Sequence, residues 1–375
     1  MGPLPFNVIT GFLGAGKTTL LNRLLAQAEM DGTLVIVNEF GEAGLDHALV
    51  EAATDEVIEL ASGCLCCTLR GDLVETLIDV LSQREAGELR PFSRIVVETS
   101  GLADPVPILH SVMGHGWLVQ RLRLDGVVAV VDALCGADTL ANHAEARRQA
   151  ALADRLVITK AELLEGAERQ AALRRLERRL RALNRAAPIL RAERDEMTPE
   201  RLFHGGLTDA EGQVDVEGWL RAEAHMADHA HDGHDAHDTD EGHDGHAHGE
   251  TEHSAEISSF AIVSPAAISP QGLEVFVDLL RANFGAALLR VKGIIRMSDD
   301  AARPVVIHGV QHIFHPPARL PRWPAPWRQT RIVFITRGDV RKEVERLFAA
   351  VSDPLSGHGA AAADDALSLL PGGDG

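Results

Sequence analysis

The chain contains the octet Gly11-Phe12-Leu13-Gly14-Ala15-Gly16-Lys17-Thr18 near its N-terminus. An apolar run over residues 6–10 precedes the octet, and leucines at helical spacing follow it over residues 18–28. A strand, the pattern GxxxxGK[ST] and a helix, in that order, are the context of a phosphate-binding loop. The octet therefore predicts a P-loop, in which backbone N–H groups and a helix N-terminus converge on phosphate oxygens.

The side chains and the backbone of this loop have separate predicted roles. Lys17 is expected to reach the β- and γ-phosphates of a nucleotide, and the Thr18 hydroxyl is expected to ligate Mg²⁺. The other predicted nucleotide contacts of the loop are Gly11, Gly14, Ala15, Gly16 and Thr19. These residues together predict a nucleotide-binding protein.

Short apolar segments recur along the first half of the chain and alternate with helical patterns. Strands that are apolar throughout and alternate with helices indicate a parallel sheet covered on both faces. We therefore expect an α/β fold, a P-loop NTPase domain with a mostly parallel sheet, over residues 1–205. The predicted strands after the octet cover residues 33–38, 56–60, 93–97, 126–131 and 155–159.

Acidic residues end two of these predicted strands. Ligands collect at the carboxyl ends of parallel strands, so Glu98 is expected to hold Mg²⁺ directly or through water. The N–H of Gly101 could then sense the γ-phosphate, and Glu98 joins Lys17 and Thr18 as the predicted catalytic set. The alternative is that Glu98 caps the next turn. For Asp132, the second strand-end acid, capping is at least as well supported.

The run Thr159-Lys160-Ala161-Glu162 also follows a strand and is similar to the [N/T]KxD sequence that selects guanine in GTPases. A carboxylate at the fourth position accepts hydrogen bonds from the ring N–H and the exocyclic amine, which adenine does not offer together. The lysine stem packs over the base. We therefore predict guanine contacts from Thr159, Lys160 and Glu162, although glutamate is one methylene longer than aspartate.

Three of the four cysteines, Cys64, Cys66 and Cys67, lie within four positions. Clustered thiolates favour Zn²⁺ or Cu⁺, and less strongly Co²⁺, over Mg²⁺ and Ca²⁺. The alternative is that they are small buried apolar side chains, the interpretation that we prefer for the isolated Cys135. A further metal ligand is expected from water or from one of three nearby side chains, Glu39, Glu42 and His47.

Residues 225–256 hold nine of the 18 histidines and ten acids, with no Lys or Arg. With almost no apolar content, this segment is expected to be disordered without a ligand. Neutral imidazoles at this density predict capture of transition metals, and the alternative is an acidic solvated linker. The histidines assigned to capture are His229, His231, His234, His237, His243, His246 and His248.

Beyond this segment the patterns change to strands with few helices. They predict a small α+β domain over residues 256–351, after a His-rich linker over residues 206–255 and before a disordered tail over residues 352–375. Trp323 and Trp327, among prolines, are expected to be packing residues. Lys292 and Gly293 lie in a predicted strand and have no role that the sequence alone explains.

Composition limits the classes of partner. The net charge of −19 over 375 residues argues against a nucleic-acid surface. Neither a signal peptide nor an apolar stretch long enough to span a membrane is apparent, so no membrane partner is expected. The cysteine pattern suits a reducing cytoplasm rather than a disulfide framework.

Five runs of sequence resemble the motifs of one known family: the octet with Thr19-Leu20-Leu21-Asn22, Asn38-Glu39-Phe40-Gly41-Glu42, Gly63-Cys64-Leu65-Cys66-Cys67, Glu98-Thr99-Ser100-Gly101-Leu102-Ala103-Asp104-Pro105 and Val291-Lys292-Gly293. Through these runs the chain resembles the CobW family of GTP-dependent metal-insertion proteins. The resemblance implies slow GTP hydrolysis with Mg²⁺, a transition metal at the clustered cysteines and delivery to a client metalloprotein. Glu162 departs from the aspartate typical of the family.

The resulting hypothesis is a GTP-gated metallochaperone with Zn²⁺ as its first expected cargo, because imidazole and thiolate ligands suit zinc. A cobalt chaperone for cobalamin synthesis is the first alternative. A metal-buffering protein that uses the histidine tract is an alternative of another class, and a P-loop kinase for a small molecule is a third. The sequence leaves the client and the oligomeric state open.

Overall fold

The computed structural model describes residues 2–37, 57–59, 68–166, 168–185, 187–195, 197–203, 257–314, 316–323 and 328–352. These residues form a parallel sheet with helices and a second, antiparallel sheet. The predicted P-loop α/β fold with a smaller α+β domain is therefore confirmed. The clustered cysteines, the histidine tract, Trp327 and residues 353–375 of the predicted tail lie outside the described residues.

Within the described part of the chain, the first sheet has seven strands in the order β3-β2-β4-β1-β5-β6-β7, and every pairing is parallel. Strand β1 is central, so the octet that follows it leaves the middle of the sheet at its carboxyl edge. Strand β5 begins four residues earlier than the sequence predicts. Leu122 to Asp125, in which leucines alternate with charged residues, extend the strand beside the start of β1. The strands are β1 Leu4–Gly11, β2 Thr33–Val37, β3 Val57–Glu59, β4 Arg94–Glu98, β5 Leu122–Asp132, β6 Arg155–Thr159 and β7 Ile189–Arg191.

Helices connect these parallel strands. The first helix, α1, buries Leu20, Leu21, Leu24 and Leu25, the leucine face that the sequence predicts. It ends at Leu25, earlier than expected, because the chain tightens into a 3₁₀ turn over Ala28–Met30. The helices are α1 Lys17–Leu25, α2 Thr68–Ala86, α3 Pro105–Gly114, α4 Gly136–Asn142, α5 Ala144–Leu152, α6 Glu168–Leu183 and α7 Pro199–Phe203.

The second sheet is antiparallel, with the order β11-β10-β9-β13-β8 and β12 beside β10. Two helices pack on it, and its core includes the stacked rings of Phe260 and Phe334. Trp323 is buried and its indole N–H donates to the Ala301 carbonyl at 2.7 Å, which is a packing role. The elements are β8 Ile257–Ser264, α8 Pro270–Phe284, β9 Leu288–Ile295, β10 Val305–Val310, β11 Ile313–Phe314, β12 Ala318–Arg319, β13 Thr330–Arg337 and α9 Arg341–Ser352.

The two sheets share one apolar cluster. Ile257, Leu289, Val310 and Ile335 of the second sheet belong to the same buried cluster as the β1, β4 and α3 side chains of the P-loop domain. Burial of this apolar surface stabilises the docked arrangement, at roughly 25 cal/mol per Å². The C-terminal domain is therefore seated on the P-loop domain rather than only tethered to it.

Candidate functional site

The octet forms a loop between β1 and α1 whose backbone requires glycine at several positions. Gly14 and Gly16 have φ values of 70° and 91°, in the left-handed region that suits glycine. At Gly11, a Cβ atom would lie 2.3 Å from the Val130 carbonyl oxygen. Helix α1 begins at Lys17, so its N-terminus and its first N–H groups face the loop. This is the backbone geometry of a phosphate cradle.

The two predicted magnesium ligands are in direct contact. The Thr18 hydroxyl donates to Glu98 Oε1 at 2.7 Å, although the two residues are 80 positions apart in the chain. Glu98, the last residue of β4, is only 3% exposed. Lys17 is also buried, with Nζ 3.4 Å from the Phe12 carbonyl oxygen. A carboxylate and a hydroxyl oxygen side by side beside a phosphate cradle are the donor types that Mg²⁺ prefers.

The turn after β4 lies against the phosphate loop. A Cβ atom on Gly101 would be 2.6 Å from the backbone nitrogen of Leu13, so only glycine allows this approach. Thr99 fixes the start of the turn, because its hydroxyl is bonded to that of Thr10 at 2.9 Å and its N–H donates to the Ile9 carbonyl. Gly101 therefore lies directly against the phosphate loop.

Strand β6 delivers a second set of contacts to the loop. The Thr159 hydroxyl donates to the Ala15 carbonyl at 2.7 Å. Lys160, with φ of 58°, donates from Nζ to the Gly14 carbonyl at 2.7 Å and to Asp132 Oδ2 at 2.6 Å. Two of the three residues predicted to recognise guanine, Thr159 and Lys160, therefore hold the phosphate loop in shape. Glu162 is exposed in the 3₁₀ turn Ala161–Leu163 that follows directly.

Two other residues near the loop differ from, or add to, the sequence interpretation. Asp132 caps the next turn, accepting from the Leu134 N–H at 2.6 Å, in addition to its ion pair with Lys160. The prediction that Cys135 is a core residue is wrong: Cys135 is exposed. It lies in the turn that leaves β5 and lines a cavity of about 150 Å³ between the P-loop and helices α4 and α5. A single cysteine carries no periodicity from which this position could be predicted.

Sequence reasoning missed Gln149. Its side chain is 2% exposed, and its amide donates to the carbonyls of Gly101 at 3.1 Å and Ala103 at 3.0 Å. It therefore supports the turn that faces the phosphate loop. The available signal was a polar residue next to Ala150 on the buried face of a helix.

A buried ion cluster joins the two domains. Asp154, just before β6, receives two bonds from Arg290 at 2.5 and 2.7 Å and a further bond from Lys292. All three side chains are less than 10% exposed. Burial alone would raise the pKa of Asp154, but the charges of Arg290 and Lys292 hold that pKa below its usual value. Burial lowers the pKa of Lys292 to about 8, against the opposing effect of Asp154. Lys292, unexplained by the sequence, is thus an interdomain contact.

The predicted transition-metal ligands lie outside the described residues. They comprise the cysteines 64, 66 and 67, the candidate ligands at 39, 42 and 47, and the histidines of the tract. Within the ranges that the structure describes, no three His, Cys, Asp or Glu side chains converge as a metal site. Over those same ranges, no helix is long and apolar enough to cross a membrane.

The fold and the loop define a P-loop nucleotide-binding protein with a docked antiparallel domain. Residues 5–191 match the family CobW/HypB/UreG, nucleotide-binding domain, and residues 257–352 match the cobalamin synthesis protein cobW C-terminal domain. The chain belongs to the CobW family, as the resemblance of its motifs predicts.

Individual relatives agree with this assignment. The chain is 28% identical over 356 residues to zinc chaperone YjiA of Escherichia coli, covering 94% of this chain and 99% of the relative. It is 42% identical over 139 residues to zinc chaperone CobW of a Sinorhizobium species, covering 35% and 37% of the two chains. The crystal structure of Zn(II)-bound YjiA GTPase from E. coli shares the fold, with a TM-score of 0.59 and 24% identity over 94% of this chain and all of that one.

Proposed function

We propose that this protein is a GTP-dependent metallochaperone that loads Zn²⁺ in its GTP-bound state and delivers it to a client metalloprotein after hydrolysis. The observation that carries the proposal is the contact between Thr18 and Glu98 beside the buried Lys17. It supports the nucleotide half of the proposal, because the hydroxyl, carboxylate and ammonium groups that a nucleotide–magnesium complex would require lie close together at the sheet edge. Membership of the CobW family and the relatives named as zinc chaperones support the metal half of the proposal.

On the nucleotide side, each described residue has a distinct task. Lys17 neutralises charge on the β- and γ-phosphates, and the loop N–H groups orient them. Thr18 and Glu98 would hold Mg²⁺, which neutralises charge on the phosphates when it is bound. The N–H of Gly101 binds the γ-phosphate, so the 101–103 turn distinguishes GTP from GDP. Glu162 accepts from the guanine ring next to Lys160.

On the metal side, strand register supports a link between the two sites. Val37 is paired with Glu59 on one side and with Glu98 on the other, so the last residue of β3 is level with the magnesium ligand. Cys64 follows Glu59 by only five positions, and Cys67 immediately precedes α2. The cysteines are therefore tethered by short segments to the edge that carries Thr18 and Glu98.

These short connections are the basis of the proposed control of metal binding by the nucleotide. With GTP bound, residues 39–47 and the cysteine segment assemble a tight site from Cys64, Cys66 and Cys67 with a fourth ligand. Loss of the γ-phosphate relaxes these segments, as in switches that depend on γ-phosphate contacts. A change of about 3 kcal/mol in metal binding is more than a hundredfold in affinity, which is enough for loading and release.

The test is a competition titration of Zn²⁺ and of Co²⁺ against a chromophoric chelator. It is run on the full chain and on a variant that lacks residues 225–253, with Mg²⁺ and a non-hydrolysable GTP analogue, with Mg²⁺ and GDP, and without nucleotide. We expect one equivalent in the shortened variant to bind about a hundredfold more tightly with the GTP analogue, and Cys66→Ala to abolish that site. Cys135→Ala is the matched control and should leave the site intact.

The same titration separates the alternatives. Equal affinity in all three nucleotide states would contradict the gate. If, in addition, all tight binding disappears with residues 225–253, the histidine tract acts as a metal buffer. The ion that is held more tightly in the GTP state, Zn²⁺ or Co²⁺, identifies the cargo.

A further inference from the structure

The C-terminal domain holds helix α5 of the P-loop domain at its carboxyl end. Arg290 of β9 donates to the Leu152 carbonyl at 3.0 Å, and Leu152 is the last residue of α5. The same guanidinium binds Asp154, two residues further on, together with Lys292. Two cations of one domain thus fix the end of a helix in the other.

The same helix holds the 101–103 turn from its buried side. Gln149 donates to the carbonyls of Gly101 and Ala103, and its neighbour Arg148 forms an ion pair with Asp104 at 2.9 Å. Only three positions separate Gln149 from Leu152, which is less than one helical turn and about 4.5 Å along the axis. The turn and the interdomain ion cluster are therefore connected through one short, rigid piece of helix.

We propose that the C-terminal domain sets the position of the 101–103 turn through α5 and thereby controls how strongly the protein prefers GTP over GDP. The inference rests on the proposed GTP binding and adds a regulatory role for Arg290, Lys292 and Gln149. Because energetic coupling is reciprocal, GTP binding must change the free energy of the interdomain contact by the same amount. A client that binds the C-terminal domain would then respond to the nucleotide.

The charged groups of the interdomain ion cluster indicate that it couples the two domains and does not only attach them. The shared apolar cluster already docks the domains without any buried charge. Burying two cations and a carboxylate adds a desolvation cost that an apolar contact of the same shape would avoid. Hydrogen bonds, unlike apolar contacts, fix the orientation of the groups they join. Here Arg290 orients both the Leu152 carbonyl at the end of α5 and the carboxylate of Asp154. A helix held by directed bonds transmits a displacement instead of sliding over its neighbour.

The test measures the dissociation constants of GTPγS and GDP for full-length protein with Mg²⁺. The leading variant is Lys292→Met, which keeps the aliphatic stem and leaves Asp154 paired with Arg290. We expect the GTPγS preference to fall about tenfold, with GDP affinity changing less than twofold, because GDP does not reach the turn. Gln149→Met should give the same pattern, and the double variant should lose no more than the larger single effect.

Ile257→Ala is the matched control, since it weakens the shared apolar cluster on β8, a strand that packs on α6, and leaves the side chains of Asp154, Lys292 and Gln149 unchanged. It should leave the GTPγS preference unchanged. An unchanged preference in both Lys292→Met and Gln149→Met would overturn the inference, as would equal weakening of GTPγS and GDP. If wild-type protein itself binds the two nucleotides equally, the proposed function fails as well, which is a separate and recognisable result.

Discussion

Strand β6 is held in different ways at its two ends. At its carboxyl end, Thr159 and Lys160 bond to carbonyl oxygens of the phosphate loop and to one partly exposed carboxylate. At its amino end, Asp154 is fully buried against Arg290 and Lys292 of the other domain. Five residues separate a site that shapes a ligand loop from a contact that joins two domains.

The comparison shows that the burial of a charged group determines whether it affects ligand binding or stability. At the carboxyl end the Lys160–Asp132 ion pair reaches solvent, so it is weak and can exchange with ligand contacts, whereas the Thr159 hydroxyl is buried. At the amino end the charges are desolvated, and loss of the Asp154 carboxylate leaves both cations uncompensated. Variants at this end should therefore change stability or coupling, and variants at the carboxyl end should act mainly on ligand affinity.

The largest expected effect comes from Asp154→Ala. The substitution leaves Arg290 and Lys292 buried without the carboxylate, which typically costs about 3–5 kcal/mol of unfolding free energy. Urea unfolding followed by circular dichroism measures this loss. Asp138→Ala is the matched control, because the exposed Asp138–Arg175 pair should contribute less than about 1 kcal/mol. Similar losses in the two variants would contradict the contrast between buried and exposed charges.

The next effect is a pH dependence at the same end of the strand. Lys292 has a pKa of about 8 when folded, below its ordinary 10.5, so between these pH values the unfolded chain binds more protons. The unfolding free energy should therefore rise with pH in this window, by at most about 3 kcal/mol. Lys292→Met lacks this contribution.

The measurement is urea unfolding of both proteins from pH 7.5 to 10.5. The difference between wild type and Lys292→Met should shift in favour of the wild type as the pH increases. The chain has no tyrosine, so other groups that titrate in this range are the same lysines and cysteines in both proteins. Parallel curves would show that burial does not lower the pKa of Lys292.

The smallest effect is expected at the carboxyl end. Thr159→Val removes the hydroxyl that donates to Ala15, a bond worth about 0.5–1.5 kcal/mol. Affinity for GTPγS and GDP should fall together, by about two- to tenfold, since the loop binds phosphates common to both. Thr336→Val removes a similar bond to the Gly338 carbonyl in the other domain and should leave both affinities unchanged. A selective loss of GTPγS would assign γ-phosphate sensing to Thr159.

The sequence predicts the features of this protein that local patterns encode. Local signals sufficed for β1, the octet and α1, because glycine, lysine and the leucine face occur within 15 residues of one another. The contact between Thr18 and Glu98 was also predictable, since parallel strands end at one edge and a P-loop needs an acid for its metal. Each of these features rests on periodicity or on a motif.

Other features depend on contacts that no local pattern encodes. The role of Lys292 requires a partner, Asp154, that is 138 positions away and lies in another domain. Gln149 is bonded to the carbonyls of a turn 46 to 48 positions earlier, and a helical pattern does not reveal which polar residue does this. The exposure of Cys135 depends on how the chain leaves β5, which composition does not determine.

The apolar cluster shared by the two sheets has a consequence for how the protein opens. Slow amide hydrogen exchange requires the unfolding of whatever cooperative unit covers the amide. Because Leu289 of β9 and Phe6 of β1 lie in one cluster, neither sheet can expose its side of that cluster without the other losing contacts. The protected amides of both sheets should thus exchange as a single foldon. A destabilising substitution in the C-terminal domain would then shorten the time for which the nucleotide site stays folded.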